Sequence, residues 1–315
     1  MGQSTKWYNE IIKTEILDEL NKKCTKSFVY HYTNLSCLLS ILENKELWLS
    51  ERNSMNDKKD EDFVYDFCKQ IVAQNNTIRQ NPWSNIAASH QYVFSTSLER
   101  DSIHQWAYYS AGDGVCISFY RQKLIDVFRE YFEDLDLGYY YGSVLYTHDF
   151  KKDTKLKNIV TNIYKQYIFT KNKDAEQTFQ YEIVEEYLYS LIKQFGHHCE
   201  KEYRFVITEE ALDYVIDDLQ KANKTLKKKT SQTISTKNKI LENAKMIERL
   251  RPSFRSYNGL VKPYIKFPFE PADLISSIMI GPSNHEEIAK QNLEFFLKSK
   301  GLEHIKITKS IMSIR

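Results

Sequence analysis

The stretch VYHYTNLSCLLSILENKELWLS, residues 29–50, decides how the chain is read. Leu35, Leu38, Leu39 and Leu42 recur at intervals of three and four, which places them on one face of an amphipathic helix. Thr33 or Asn34 offers a side-chain oxygen to the first helical N–H groups, which have no partner inside the helix. Residues 28–32 before it read as a short strand, and residues 47–49 after it as a second. The fold therefore opens strand–helix–strand. His31 stands at a strand end beside a helix N-terminus, where phosphates and polar ligands are commonly held. A packed histidine bonded to backbone fits the same position, so this residue alone does not decide between ligand and core.

Outward from this unit, helical periodicity covers roughly 61–73, 121–134, 155–170, 175–195, 236–250 and 285–299. Strand patterns fall at 92–96, 115–119, 139–146, 203–208, 264–267, 276–280 and 304–308. Helices cluster in the middle and strands in both outer thirds. This is not a regular βαβ alternation, so the expected class is α+β with a mixed β core. The expected organisation is an N-terminal helix over 1–27, carried by Trp7, Ile11, Ile12, Ile16 and Leu20, followed by one domain over 28–315. That domain would hold a helical insertion at about 121–198 and a basic one at about 221–255.

With 42% hydrophobic and 27% charged residues in 315, the composition is that of a globular chain with ample length for a core. No run of about 18 apolar residues exists to span a membrane. Cys24, Cys37, Cys68, Cys116 and Cys199 are odd in number, widely spaced and free of any CxxC pair, which points to a reduced, cytoplasmic setting. His197-His198-Cys199 lacks a second ligand pair at zinc-site spacing, so no metal is expected. The net charge of +2 conceals an asymmetry: residues 221–255 hold eleven Lys/Arg against two Glu, a local +9, and the rest sums to −7. Lys227, Lys228 and Lys229 read as an exposed loop entering a basic helix. Such a run is either a solvated surface or a patch for an anionic partner such as nucleic acid.

Two further stretches carry polar groups. In YVFSTSLERDSIHQWAYYSAGDGVCISFY, Ser95-Thr96-Ser97 ends a strand, Trp106 and Tyr109 follow, and Gly112-Asp113-Gly114 supplies a turn into the next strand. In CEKEYRFVIT, Glu200 and Glu202 are two apart, so on an extended strand they share a face, with Arg204 continuing it. That set is either a structural Glu–Arg ladder or a working carboxylate pair.

Together with the ending ISSIMIGPSNHEEIAKQNLEFFLKSKGLEHIKITKSIMSIR, these motifs resemble the bacterial family catalogued as domain of unknown function 2971, from about residue 30 to the last residue. The chain departs from the family at Lys58-Lys59 and at Ser313, where proline is usual. The family name implies no activity. The order of His31, Ser95-Thr96-Ser97 and Glu200-Lys201-Glu202 is also similar to the ADP-ribosyltransferase plan of a strand-end His, then Ser-Thr-Ser, then Glu-x-Glu. This resemblance implies NAD as substrate and an arrangement of that kind. It implies His31, with Tyr32 and Thr33 beside it, on the ribose, and Ser95 orienting the pocket. Glu202 would be the catalytic carboxylate and Glu200 would face the acceptor. Trp106 and Tyr109 would stack on a ring, unless they are core, and Thr96, Ser97 and Arg204 would join the cofactor-binding set. Breaking the nicotinamide–ribose bond passes through an oxocarbenium-like state that a fixed carboxylate stabilises. The expected activity is ADP-ribose transfer to a macromolecule or NAD hydrolysis, in a defence or toxin-like role. The alternatives are a sensor module that binds without turnover, and a nucleic-acid binder built on 221–255.

Overall fold

Residues 29–50 fold as their periodicity requires. In the computed structural model β1 (Phe28–Asn34) leads into α1 (Leu35–Asn44) and then β2 (Glu46–Glu51). Asn34 is the cap: its Oδ1 accepts from the Cys37 N–H at 2.8 Å. Lys45, left-handed at φ 54°, closes the helix and turns the chain into β2. Leu38 and Leu42 are buried, whereas Leu39 stays exposed. The structure describes residues 24–55, 91–109, 112–133, 135, 139–148, 190–228, 233–257, 259–283 and 285–312, with single positions at 63, 66, 70, 154 and 158.

The remaining elements are β3 (Gln91–Ser97), α2 (Ile103–Tyr109), β4 (Gly114–Tyr120), α3 (Arg121–Glu133), β5 (Tyr139–Ser143), β6 (Leu145–Thr147) and β7 (Ile192–Gln194). After a 3-10 turn at Phe195–Glu200 come β8 (Glu202–Thr208), α4 (Glu209–Lys227), α5 (Ile234–Leu250), β9 (Ser253–Tyr257) and β10 (Leu260–Pro268). The chain continues with α6 (Pro271–Leu274), β11 (Ile275–Ile280), α7 (Glu286–Ser299) and β12 (Lys306–Lys309). Among the described residues, ten strands form one open mixed sheet in the order β12-β11-β4-β1-β3-β2-β10-β9, with β8 also on β3 and β5 on β8. Its pairs are antiparallel except β11–β12. The fold is therefore α+β.

One sheet face is the main core. Phe94, Phe119, Phe205, Phe267 and Ile278 project there against Leu38 and Leu42 of α1, Phe128 and Phe132 of α3, and Leu293 and Leu297 of α7. Rings meet at close range, as in Phe128–Phe205 at 5.2 Å and Phe128–Phe267 at 5.3 Å. A smaller cluster of Tyr32, Trp106, Cys116 and Met279 lies apart from it. Gly281 permits that second packing. A Cβ there would meet Gly114 O and the Trp106 ring at 2.9 Å.

One irregularity positions everything that follows. β8 pairs with β3 along its whole length, from Gln91↔Thr208 to Ser97↔Glu202. The other edge of β3 is shared: β1 bridges it at Tyr30↔Ser97, and β2 at Ser50↔Val93 and Glu51↔Tyr92. Between these contacts β1 and β2 diverge, and the sheet is split alongside residues 94–96.

Several expectations are corrected. The helix expected over 175–195 gives way by Ile192, where β7 begins, and its earlier part lies outside the described residues. Residues 121–198, read as a helical insertion, also supply β5, β6 and β7. The loop expected around Lys227 is the end of helix α4, which runs antiparallel to α5 as a hairpin. Asn243 Nδ2 donates to Asn223 Oδ1 at 3.0 Å across it. Residues 253–257 leave the basic segment altogether and join the sheet as β9. The helices expected over 1–27, 61–73 and 155–170 lie largely outside the described residues, as do Lys229 and Ser313.

Candidate functional site

The three polar motifs come together. Tyr30↔Ser97 and Ser97↔Glu202 join β1, β3 and β8 as neighbouring strands, so His31, Ser95–Ser97 and Glu202 lie within roughly two strand spacings, about 10 Å. The Ser97 hydroxyl donates to Glu200 O at 2.8 Å, and Gln105 Nε2 donates to the same oxygen at 3.0 Å. The second motif thus clamps the turn that presents the third.

The carboxylates do not share an extended strand as expected. Lys201 is left-handed at φ 43°, and Glu200 ends the 3-10 turn while Glu202 begins β8. They meet instead through a residue the sequence reading missed. Lys193 Nζ lies 2.8 Å from Glu200 Oε2 and 2.8 Å from Glu202 Oε1. Lys193 sits in a stretch whose helical periodicity hid it, and no local signal marked it as a partner. Arg204 pairs with Glu202 as a structural ladder would have it, with Nε 2.5 Å from Glu202 Oε2, and Nη1 donates to Ser190 O at 2.8 Å. The Glu202 N–H donates to the Tyr146 hydroxyl at 2.8 Å.

This network separates the two carboxyl groups. Although burial opposes it, the charges of Arg204 and Lys193 hold Glu202 well below the usual carboxylate range, so it is ionised at neutral pH. Burial and the adjacent Glu202 carboxylate push Glu200 up to about 8, so it keeps its proton there. His197 Nδ1, 3.3 Å from Glu200 Oε1, connects this acid to the surface.

Strand alternation places His31 differently from expectation. Tyr30 faces the same way as Ser97 and Glu202, whereas His31 packs its ring on Phe94 at 4.7 Å on the core side. Its Nδ1 lies 3.1 Å from Ser95 O, a carbonyl on the open edge of β3. A carbonyl only accepts, so Nδ1 carries the proton and Nε2 presents a lone pair. Burial, reinforced by the charge of Arg255, lowers His31 to about 4, so the ring is neutral. His31 therefore replaces a missing ladder bond at the split and keeps one acceptor in hand.

The other candidates divide by environment. Thr96 Oγ1 donates to Tyr203 O at 2.6 Å, and Tyr32 donates to Glu99 O at 2.8 Å; both serve the backbone. Thr33 lies opposite Val115 in the β1–β4 ladder. Trp106 is a core side chain, 1% exposed, whose Nε1–H donates to Asp101 Oδ1 at 2.6 Å, so no base can stack on it. Tyr109 is exposed at the end of α2. Lys227 and Lys228 are exposed at the hairpin tip, away from the motif strands.

The split brings in four residues that carried no local motif: Trp48, Ser50, Tyr264 and Arg255. Ser50 opposes both Val93 and Tyr264, and Arg255 Nη2 donates to Ser50 Oγ at 2.8 Å. Trp48 and Tyr264 stack at 4.3 Å beneath the guanidinium. His31, Trp48, Ser95 and Arg255 all stay partly accessible, while Leu47, Leu49, Val93 and Phe94 beside them are buried.

A model of the family described as "Protein of unknown function (DUF2971)" matches residues 105–205. The match supports the family expected from the motifs. It includes Lys193, Glu200, Glu202 and Arg204 and stops short of His31 and Ser95. No curated protein and no solved structure matches the chain. Among the described residues, no helix is long and apolar enough to cross a membrane.

Proposed function

We propose that this chain is an NAD-consuming enzyme of the ADP-ribosyltransferase kind, acting where β1, β3 and β8 meet. The observation that carries the reading is the register Tyr30–Ser97–Glu202, which gathers three motifs far apart in sequence onto adjacent strands. An ionised Glu202 is the state required beside a developing oxocarbenium ion, and one well-placed charge is worth on the order of 10²–10³ in rate. The C1′–N bond breaks with its electron pair leaving on nicotinamide, a neutral base that needs no acid. A water or acceptor oxygen bonds to C1′ and gives its proton to Glu200, once that carboxyl is ionised. Turnover then rises with pH through about 8, the value set by burial and Glu202. Tyr30, on the face of Glu202, is the β1 contact to the ribose, since the His31 ring turns to the core side. An acceptor of nucleic-acid type would be drawn to the α4–α5 hairpin through Lys227 and Lys228, and through Lys229 beyond them.

Nicotinamide release from NAD by wild type and Glu202→Gln, each with and without RNA, tests the reading. Release by wild type, reduced on the order of 10²–10³ in the variant, is expected. Full activity in Glu202→Gln would remove Glu202 from the chemistry. A second reading, a sensor that binds without turnover, draws on the ion pairs that already engage both carboxylates. It predicts NAD binding with no nicotinamide released by folded wild type.

A further inference from the structure

Arg255 projects from β9 over Tyr264 to the hydroxyl of Ser50 on β2. Its guanidinium carbon lies 5.5 Å from the Trp48 ring centroid and 6.0 Å from that of Tyr264. Its Nε is buried and donates to nothing, and among the described residues no carboxylate pairs with it. Lys193 and Arg204, the buried cations of the neighbouring cluster, are by contrast matched by Glu200 and Glu202. A half-enclosed guanidinium whose polar partner is one neutral hydroxyl leaves its desolvation uncompensated until an anion arrives.

Ser95 supplies a second unmet group. Its Oγ is buried without a partner, on the same side of the sheet as Ser50 and Arg204. Continuing the Ser50–Val93 register by two residues sets Ser95 across the split from Trp48, the ring that backs Arg255. The His31 ring lies beyond them on the core side, against Phe94. The pair therefore offers two donors, Arg255 Nε–H and Ser95 Oγ–H, on one side of the sheet. A phosphate oxygen accepts from both and meets the guanidinium charge.

We propose that the split between β1 and β2 holds the phosphates of a nucleotide, with Arg255 and Ser95 donating to a phosphate oxygen. Trp48 and Tyr264 fix the guanidinium plane from behind. The inference rests on the reading of this region as a ligand site and specifies its ligand class; it requires no turnover.

The test is calorimetric titration of the full chain with ADP-ribose, with inorganic pyrophosphate, and with nicotinamide riboside, which lacks phosphate. Wild type should bind ADP-ribose, more weakly as salt rises, and pyrophosphate should compete with it. Arg255→Gln should lose on the order of tenfold or more in ADP-ribose affinity, as removal of one charge-assisted bond implies, and Ser95→Ala several-fold. Nicotinamide riboside affinity should be unchanged by Arg255→Gln. Thermal unfolding of each variant, with Arg255→Lys as the charge-conserving control, separates loss of binding from loss of fold. Equal ADP-ribose affinity in wild type and Arg255→Gln would overturn the proposal. So would failure of folded wild type to bind either ADP-ribose or pyrophosphate, or binding of pyrophosphate that leaves ADP-ribose undisturbed. ADP-ribose binding lost in Arg255→Gln, without nicotinamide release from NAD by wild type, would leave the site standing and remove the enzymatic reading alone.

Discussion

The two edges of β3 carry the same kinds of residue in opposite states. Toward β8, Lys193, Glu200, Glu202 and Arg204 answer one another's charges at 2.5–2.8 Å. Toward β1 and β2, Arg255 Nε and Ser95 Oγ are buried without partners, and His31 holds a neutral ring with one nitrogen engaged. A satisfied buried network contributes uniqueness of fold, since removing one member strands the others. An unsatisfied one stores no such order, and its polar atoms are where the proposed ligand would complete the structure. Strand pairing explains the difference. β8 ladders β3 completely, while β1 and β2 share the opposite edge and leave its centre open.

The comparison breaks most decisively at Lys193. Lys193→Met leaves two buried carboxyl groups without their common cation and should destabilise the chain by about 3–5 kcal/mol, read by urea denaturation. A loss below about 1 kcal/mol would mean that the network is not structural.

Acidity sharpens it next. Glu200 titrates at about 8 in the folded chain and near 4.5 when exposed, so between these values the native state holds the extra proton. Stability should be fullest below about pH 4.5 as far as this group is concerned, and should fall as pH rises toward 8, by up to about 1.4 kcal/mol per pH unit. Glu202 acts with the opposite sign and in a separate window, since its lowered carboxyl withdraws stability only as pH falls below the ordinary carboxylate range. Glu200→Gln should flatten the slope above pH 4.5; stability curves identical to wild type would place that proton elsewhere.

The smallest effect is a matched pair of serines. Ser97→Ala removes a buried donor to Glu200 O and should cost about 1–2 kcal/mol. Ser95→Ala removes a hydroxyl with no partner and should stay within about 0.5 kcal/mol of wild type. Equal losses at the two positions would erase the distinction between the edges.

Local periodicity made much of the fold legible. The leucine spacing of α1, the alternation in β3, β4 and β8, and the extents of α3 and α7 follow from which side chains must face a core. Asn34 as a cap and Gly112, at φ 95°, as a turn residue follow from backbone chemistry in the same way. The order of the three motifs was visible too, and so was the Arg204–Glu202 pair, because its members are two residues apart on one strand.

What the sequence by itself determined is therefore the set of elements and the polar residues at their ends. The tertiary structure alone decided their partners. Arg255 meets Ser50 across 205 residues, Lys193 joins Glu202 around a left-handed turn, and His31 finds Ser95 O only because β1 and β2 part at that level. Periodicity records which way a side chain points from its own strand. Which strand comes to lie alongside, and whether a carbonyl there is already paired, depends on the path of the whole chain.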